Sequence, residues 1–204
     1  MKAAWAFVLG HAVGINDVVF GEVSANRYLT TQGVEHVRGP CINFIPVRAQ
    51  LEQKMTLATL IKQMQDRAMA SLPHQHIGFR SIIKDCTMWP RWTRFSTTLV
   101  YQSQGFMGDF LKIGGVDGTL VSDGDAGDST DLMLVVTPHS EDLEIKFIFS
   151  PKTLPSKQIN WISQTLVTVI HAIPFILEQN LAQIGDSLQR SALGSYVVPP
   201  SLSS

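Results

Sequence analysis

The sequence holds only two cysteines in 204 residues, Cys41 and Cys86. Two are too few for a disulfide scaffold, so a reducing, cytoplasmic setting is expected. Charge is scarce as well: 16% of residues are charged, 16 basic against 17 acidic, and no run of Lys or Arg breaks the balance. A nucleic-acid binder needs a clustered basic face to neutralise phosphates, so nucleic acid is excluded as a partner. No G-x-S-x-G elbow, G-x-x-x-x-G-K phosphate loop or G-x-G-x-x-G turn is present, which removes three common catalytic and nucleotide-binding signatures. The longest uncharged stretch, Gln158 to Leu177, has about the length of a membrane span. Asn160, Ser163, Gln164, Thr165, Thr168, His171 and Pro174 interrupt it, so it is expected to be a buried helix and no membrane partner is expected. Lys2 and the apolar run after it imitate a secretory leader, but no small-x-small cleavage site follows Gly10. An Ala-rich core helix ending near Gly14 accounts for the same residues.

What is present reads as alternating helices and strands. Asp17 to Val23 has the β-branched and aromatic composition of a strand. Ile42 to Val47 is a second apolar run, and Pro46 within it removes a ladder donor, so it is expected at a sheet edge or as an extended crossing segment. From Thr56 to Leu72, Leu57, Leu60, Ile61, Met64, Ala68 and Leu72 fall on one helical stripe, with Thr56 as N-cap and Pro73 as the stop. A short helix is expected over Gly78 to Asp85. Ser96 to Gln102 follows as a strand, with Phe95, Leu99 and Tyr101 on one face and Ser96, Thr98 and Gln102 on the other. Residues 105–130 are rich in Gly and Asp, with a short strand expected near Thr119 to Val121. Leu132 to Thr137 and Leu143 to Phe149 pair across Pro138-His-Ser-Glu-Asp, and Pro155-Ser156 opens the longest helix. The order predicts an α/β fold, a mixed-sheet sandwich covered by helices.

Local chemistry is sparse. His74-Gln-His76 has two imidazoles able to bind a transition metal, but no Cys or acidic ligands flank it, so a structural role is expected and no metal. The acidic loop from Asp123 to Asp131 lacks EF-hand spacing and is expected to be solvated. Trp89, Arg91, Trp92 and Arg94 form an aromatic and basic cluster that suits either a stacked ligand or acidic partner, or a packed loop with snorkelling arginines. No residue of this chain presents itself as catalytic.

Several segments, in order, resemble the carboxy-terminal half of a condensation domain from nonribosomal peptide synthetases, most similar to fungal ones. Gly39-Pro-Cys-Ile-Asn-Phe-Ile-Pro-Val-Arg48 resembles the family's G-x-F-V-N-T-x-P-x-R motif, matching at Gly39, Asn43, Pro46 and Arg48 and departing at Cys41 and Phe44. His74-Gln-His-Ile-Gly-Phe79 resembles H-Q-D-x-P-F-E at His74, Gln75 and Phe79, with His76, Gly78 and Arg80 in place of Asp, Pro and Glu. The R-D-x-S-R-N-P-L motif persists as Arg91 and its surroundings.

The resemblance covers residues 1–185 and leaves 186–204 as a linker-like tail. It implies one lobe of a chloramphenicol-acetyltransferase-like pair, with a tunnel between the lobes. Carrier-bound donor and acceptor groups would meet there on phosphopantetheine arms, which the carrier domains deliver and this chain does not bind, to be joined as an amide, an ester or a ring. The family's H-H-x-x-x-D-G motif belongs to the amino-terminal lobe, and none of His11, His36, His74, His76, His139 and His171 has that context. The resemblance therefore implies a chain inactive by itself, with the amino-terminal lobe and peptidyl carrier domains as partners. The alternative is a non-catalytic docking or scaffold lobe. A tunnel floor is expected near 30–48 and a latch within 105–131. Ser96 and Thr98 suit a tunnel wall or, equally, a solvent-facing strand side. Asn43 is also placed at the tunnel, although a pinning role suits it and Arg48 better.

Overall fold

In the computed structural model the described residues are 1–25, 33, 36, 41–102, 111–113, 116–118 and 130–191. Gly39, the strand expected at Thr119 to Val121 and most of 105–131 lie outside them.

The first helix, α1 (Lys2–Val13), is apolar on every side, and Ala3 through Val8 are all buried. Such a helix belongs at the centre of a fold. It packs against strand β1 (Asp17–Ser24) and against two later helices, α2 (Leu57–Ser71) and α4 (Ser156–Ile176). Its end comes at Gly14, where φ of 71° is left-handed and the N–H returns to the Gly10 carbonyl, a cap that glycine adopts without a Cβ penalty.

Strand β2 (Asn43–Gln50) pairs antiparallel with β1, β3 (Thr97–Tyr101) runs parallel to β1, β6 (Leu132–Pro138) runs parallel to β3, and β7 (Leu143–Phe149) closes antiparallel on β6. The resulting five-stranded sheet has the order β2-β1-β3-β6-β7, so β2 is an edge strand, as Pro46 required. The Leu51 N–H donates to the Asn16 carbonyl at 2.6 Å, continuing the β1–β2 ladder. Hydrogen-bonded pairs alternate along an antiparallel ladder. Counting from Asn16–Leu51, Ser24↔Asn43 is therefore a hydrogen-bonded pair, while Gly21↔Pro46 and Val19↔Arg48 turn Pro46 and Arg48 outward. Pro46 thus sits where its missing N–H breaks no rung.

Register also sorts the two sheet faces, because paired residues point the same way. Phe20, Val47, Leu99, Leu134 and Phe147 share the face toward α1, where the Trp5 indole donates to Thr97 Oγ1 at 3.2 Å and meets the Phe147 ring edge-on. Val19, Gly21, Val23, Thr98, Val100 and Met133 share the other face.

Helix α2 begins as its sequence predicts: Thr56 Oγ1 accepts from the Thr59 N–H at 3.2 Å, and Pro73 follows in a short 3-10 turn. Its next unpaired N–H groups, at Leu57 and Ala58, donate to the Gln179 and Leu177 carbonyls at the end of α4, so one helix start satisfies another helix end. Helix α4 is the one helix among the described residues long and apolar enough to cross a membrane. Here Ile159, Ile162, Leu166 and Val169 of α4 are buried in the common core.

Three elements, two short strands and the last helix, depart from the sequence expectation. A small antiparallel pair joins β4 (Leu111–Ile113) to β5 (Val116–Gly118). Helix α5 (Leu181–Ser191) runs on past residue 185, so the first part of the expected 186–204 linker is helical. Its start is a reciprocal cap: the Gln183 N–H donates to Asn180 Oδ1 at 2.9 Å and the Asn180 N–H to Gln183 Oε1 at 3.1 Å.

Candidate functional site

Asn43, Gln75 and Phe79 come together where β1 ends and β2 begins, at the start of α3 (Phe79–Cys86), whereas Arg48 and Arg91 lie elsewhere. The Asn43 Nδ2 group donates to the main-chain carbonyls of Gln75 at 2.8 Å and Ile77 at 2.7 Å. Its Oδ1 accepts from the Phe44 N–H at 2.9 Å, so both ends of the carboxamide are used. Ser24 Oγ donates to Gln75 Oε1 at 2.9 Å. Thus Asn43 and Gln75, from two separate motifs, meet across the chain, while His74 beside them is exposed.

Phe79 stacks on Phe95 with ring centroids 4.2 Å apart. Phe95 in turn lies against Gly21, where an added Cβ would come within 2.6 Å of its ring. These rings cover part of the second face and separate the two tunnel-wall candidates: Ser96 is exposed, whereas Thr98, paired with Gly21 in the register, has 0% exposure. The Thr98 hydroxyl has no hydrogen-bond partner. Neither an open wall nor a solvent-facing side describes Thr98 in this arrangement, because alternation fixed its face but not the aromatic roof over that face. Beyond the roof, Val100, Met133, Val135 and Ile148 are half-buried and apolar.

Arg48 forms a forked pair with Asp17, Nε to Oδ1 at 2.8 Å and Nη2 to Oδ2 at 2.6 Å. The hydrogen bond from Arg48 holds the Asp17 carboxyl below its ordinary value and raises the guanidinium in turn. Both side chains are largely exposed, so the pair fixes geometry and adds little stability. The Arg67 guanidinium donates to the outward Arg48 carbonyl at 2.9 Å. A cleft of about 270 Å³ between β2 and α2 is lined by Pro46, Arg48, Arg67 and Lys2, the last paired with Glu22 at 2.7 Å.

Arg91 is exposed, and so is much of its loop: Trp92 is 84% exposed and Met88 fully exposed. The packed member of this stretch is Phe95, and Arg94 pairs with Asp131 at 3.1 Å. His11 lies between the Phe7 and Trp161 rings, and burial lowers its pKa. It opens on a cleft of about 500 Å³ that contains Gln53 and Asp186 but none of the motif residues. Among the described residues no three His, Cys, Asp or Glu side chains gather as a metal site.

The mixed five-stranded sheet, with α1, α2 and α4 packed together in the core and α3 against β2, has the chloramphenicol-acetyltransferase-like fold seen in condensation domains. The family model for the condensation domain matches residues 1–188, and the chain belongs to that family. It is 35% identical over 174 residues to the nonribosomal peptide synthetase valB of Aspergillus terreus, an alignment spanning 85% of this chain and 7% of that protein. The crystal structure of CT superposes with a TM-score of 0.72 at 23% identity, covering 88% of this chain and 41% of CT. The starter condensation domain of the rhizomide synthetase RzmA gives a TM-score of 0.64 at 20% identity, over 89% of this chain and 42% of that one. The chain thus spans a small fraction of its curated relative and about two-fifths of each structural neighbour.

Proposed function

We propose that this chain is the carboxy-terminal lobe of a nonribosomal peptide synthetase condensation domain. The parent domain would work in the cytoplasm and join a carrier-bound donor to a carrier-bound acceptor. The observation that carries the reading is the condensation match over residues 1–188 by a chain that covers 41% of the CT structure. The half-buried apolar sheet face supports it, since Val100, Met133 and Val135 stand where alternation in a solvated sheet would put polar residues.

In this reading the lobe builds a tunnel wall and the amino-terminal lobe supplies the H-H-x-x-x-D-G histidine. The carriers bring phosphopantetheine-linked reactants to the two mouths. What this chain contributes is geometry: holding two tethered reactants in register removes much of the entropic barrier to acyl transfer. The floor is assigned to 30–48 and the latch to 105–131. Supplied alone with both loaded carriers, the chain should form product at the uncatalysed rate. Adding a fungal amino-terminal lobe should restore turnover and quench hydrophobic-dye binding to the open face. Turnover by the chain alone, abolished by a substitution within it, would overturn the reading.

The exposed Met88 and Trp92 beside Arg91 favour a second reading, a docking lobe without catalytic duty. That reading expects carrier binding weakened by Trp92→Ala and no turnover with any added lobe.

A further inference from the structure

We infer that Ser24, Asn43 and Gln75 form a clasp that fixes both ends of the β1–β2 connection, which makes Gln75 a positioning residue for the segment assigned above to the tunnel floor. What that segment does rests on the condensation-lobe reading. That its ends are clasped does not.

Ser24↔Asn43 is the last pair of the β1–β2 ladder before the strands part. The two strands are joined over residues 25–42, longer than the loops of about two to five residues that lock the last rung of a hairpin, so this rung depends on other contacts. The segment leading into α3 supplies them from outside. Its Gln75 side-chain oxygen accepts from Ser24 on β1 at 2.9 Å, while the Gln75 and Ile77 carbonyls accept from Asn43 on β2 at 2.8 and 2.7 Å. One segment therefore holds both strands at the point of departure. It is anchored in turn by Phe79 on Phe95, which ties the ends of the connection to the roof over Thr98.

The chemistry is directional: position 43 must donate to two carbonyls, and position 75 must accept from a hydroxyl. Hydrogen–deuterium exchange on the chain alone reads this directly. Asn43→Asp keeps the acceptor for the Phe44 N–H but turns a carboxylate toward two carbonyls. Gln75→Ala removes the acceptor, and Gln75→Glu restores one. Asn43→Asp and Gln75→Ala should raise exchange at 22–25, 41–45 and 74–78 by about two- to tenfold. Gln75→Glu should match the parent, and protection across β3 and β6 should hold throughout. If Asn43→Asp does not fold, Ser24→Ala probes the same clasp by deleting one hydroxyl. Gln75→Glu behaving like Gln75→Ala, Asn43→Asp matching the parent, or a uniform rise across every strand would overturn the clasp. No carrier or second lobe enters this experiment, so its failure leaves the reconstitution test standing, and failed reconstitution leaves the clasp standing.

Discussion

Gly21→Ala tests whether the second sheet face is closed by aromatic stacking. Gly21 is not among the positive-φ glycines, so the backbone accepts alanine. Relief of glycine's entropic cost alone would stabilise the strand by about 0.5–1 kcal/mol. Against that, the new Cβ would lie 2.6 Å from Phe95 Cδ2, 3.0 Å from Cγ and 3.2 Å from Cε2. The ring is 7% exposed and Phe79 stacks on it at 4.2 Å, so it has no room to retreat. Overpacking of this kind costs about 1–3 kcal/mol, and the net loss should be about 1–2 kcal/mol. For a chain of this size that lowers Tm by roughly 2–8 °C. Denaturant unfolding of Gly21→Ala, Phe95→Leu and the double variant completes the cycle, and with the ring shortened the alanine should cost nothing or stabilise. An alanine variant as stable as the parent, or one whose cost is unchanged beside Phe95→Leu, would refute the account.

Burial lowers the His11 pKa below its ordinary 6.5. The unfolded chain therefore takes up the proton first, and the stability held above pH 6.5 is lost as pH falls through that value toward the folded one. The Asp17 carboxyl, lowered by Arg48 from 3.8, loses its contribution only at more acidic pH. Tm measured from pH 7.5 to 5.5 should fall, and His11→Phe should flatten the slope whatever its absolute Tm; an unchanged slope counts against His11 as the source. The outer edge of β2 is blunted by Pro46, by the Asn43 cap on the Phe44 N–H and by Arg67 on the Arg48 carbonyl. Pro46→Val with Arg67→Ala should self-associate with rising concentration in analytical ultracentrifugation, and a monomer throughout would dismiss the edge-guard role.

The legible parts of the fold carry a local period or a local stop. The stripe from Leu57 to Met64, with Thr56 before it and Pro73 after it, specified α2, and Pro46 announced an edge. Two further local signals mark the elements the period alone does not specify: Asn180-x-x-Gln183, the capping box that starts α5, and Gly114-Gly115 in the sequence between the short strands β4 and β5. The site itself was legible only as resemblance. Nothing near Gln75 encodes that its carbonyl will meet Asn43, 32 residues away in the chain, since the fold and not the local sequence brings them together. Period-two alternation separates Thr98 from Leu99 correctly but misplaces Phe95, which precedes β3 and packs against Gly21 on the Thr98 face instead of the Leu99 face.

The two faces of the sheet obey different rules, and the difference bears on function. Toward α1 the positions hold Phe20, Leu99, Leu134 and Val136, all essentially without exposure, as a finished core demands. The other face carries Val19, Val23, Val100 and Val135, half-buried and apolar along its middle strands, with exposed Arg48 and Lys146 at its two margins and a glycine and an unpaired threonine hydroxyl beside one pair of rings. A solvated face would not spend β-branched residues there, and a closed core would not leave a buried hydroxyl unsatisfied at a cost of about 1–3 kcal/mol. Such a face is consistent with one completed by contact. The clasp at Ser24, Asn43 and Gln75 stands at its border, where a segment leaving the sheet would have to be aimed.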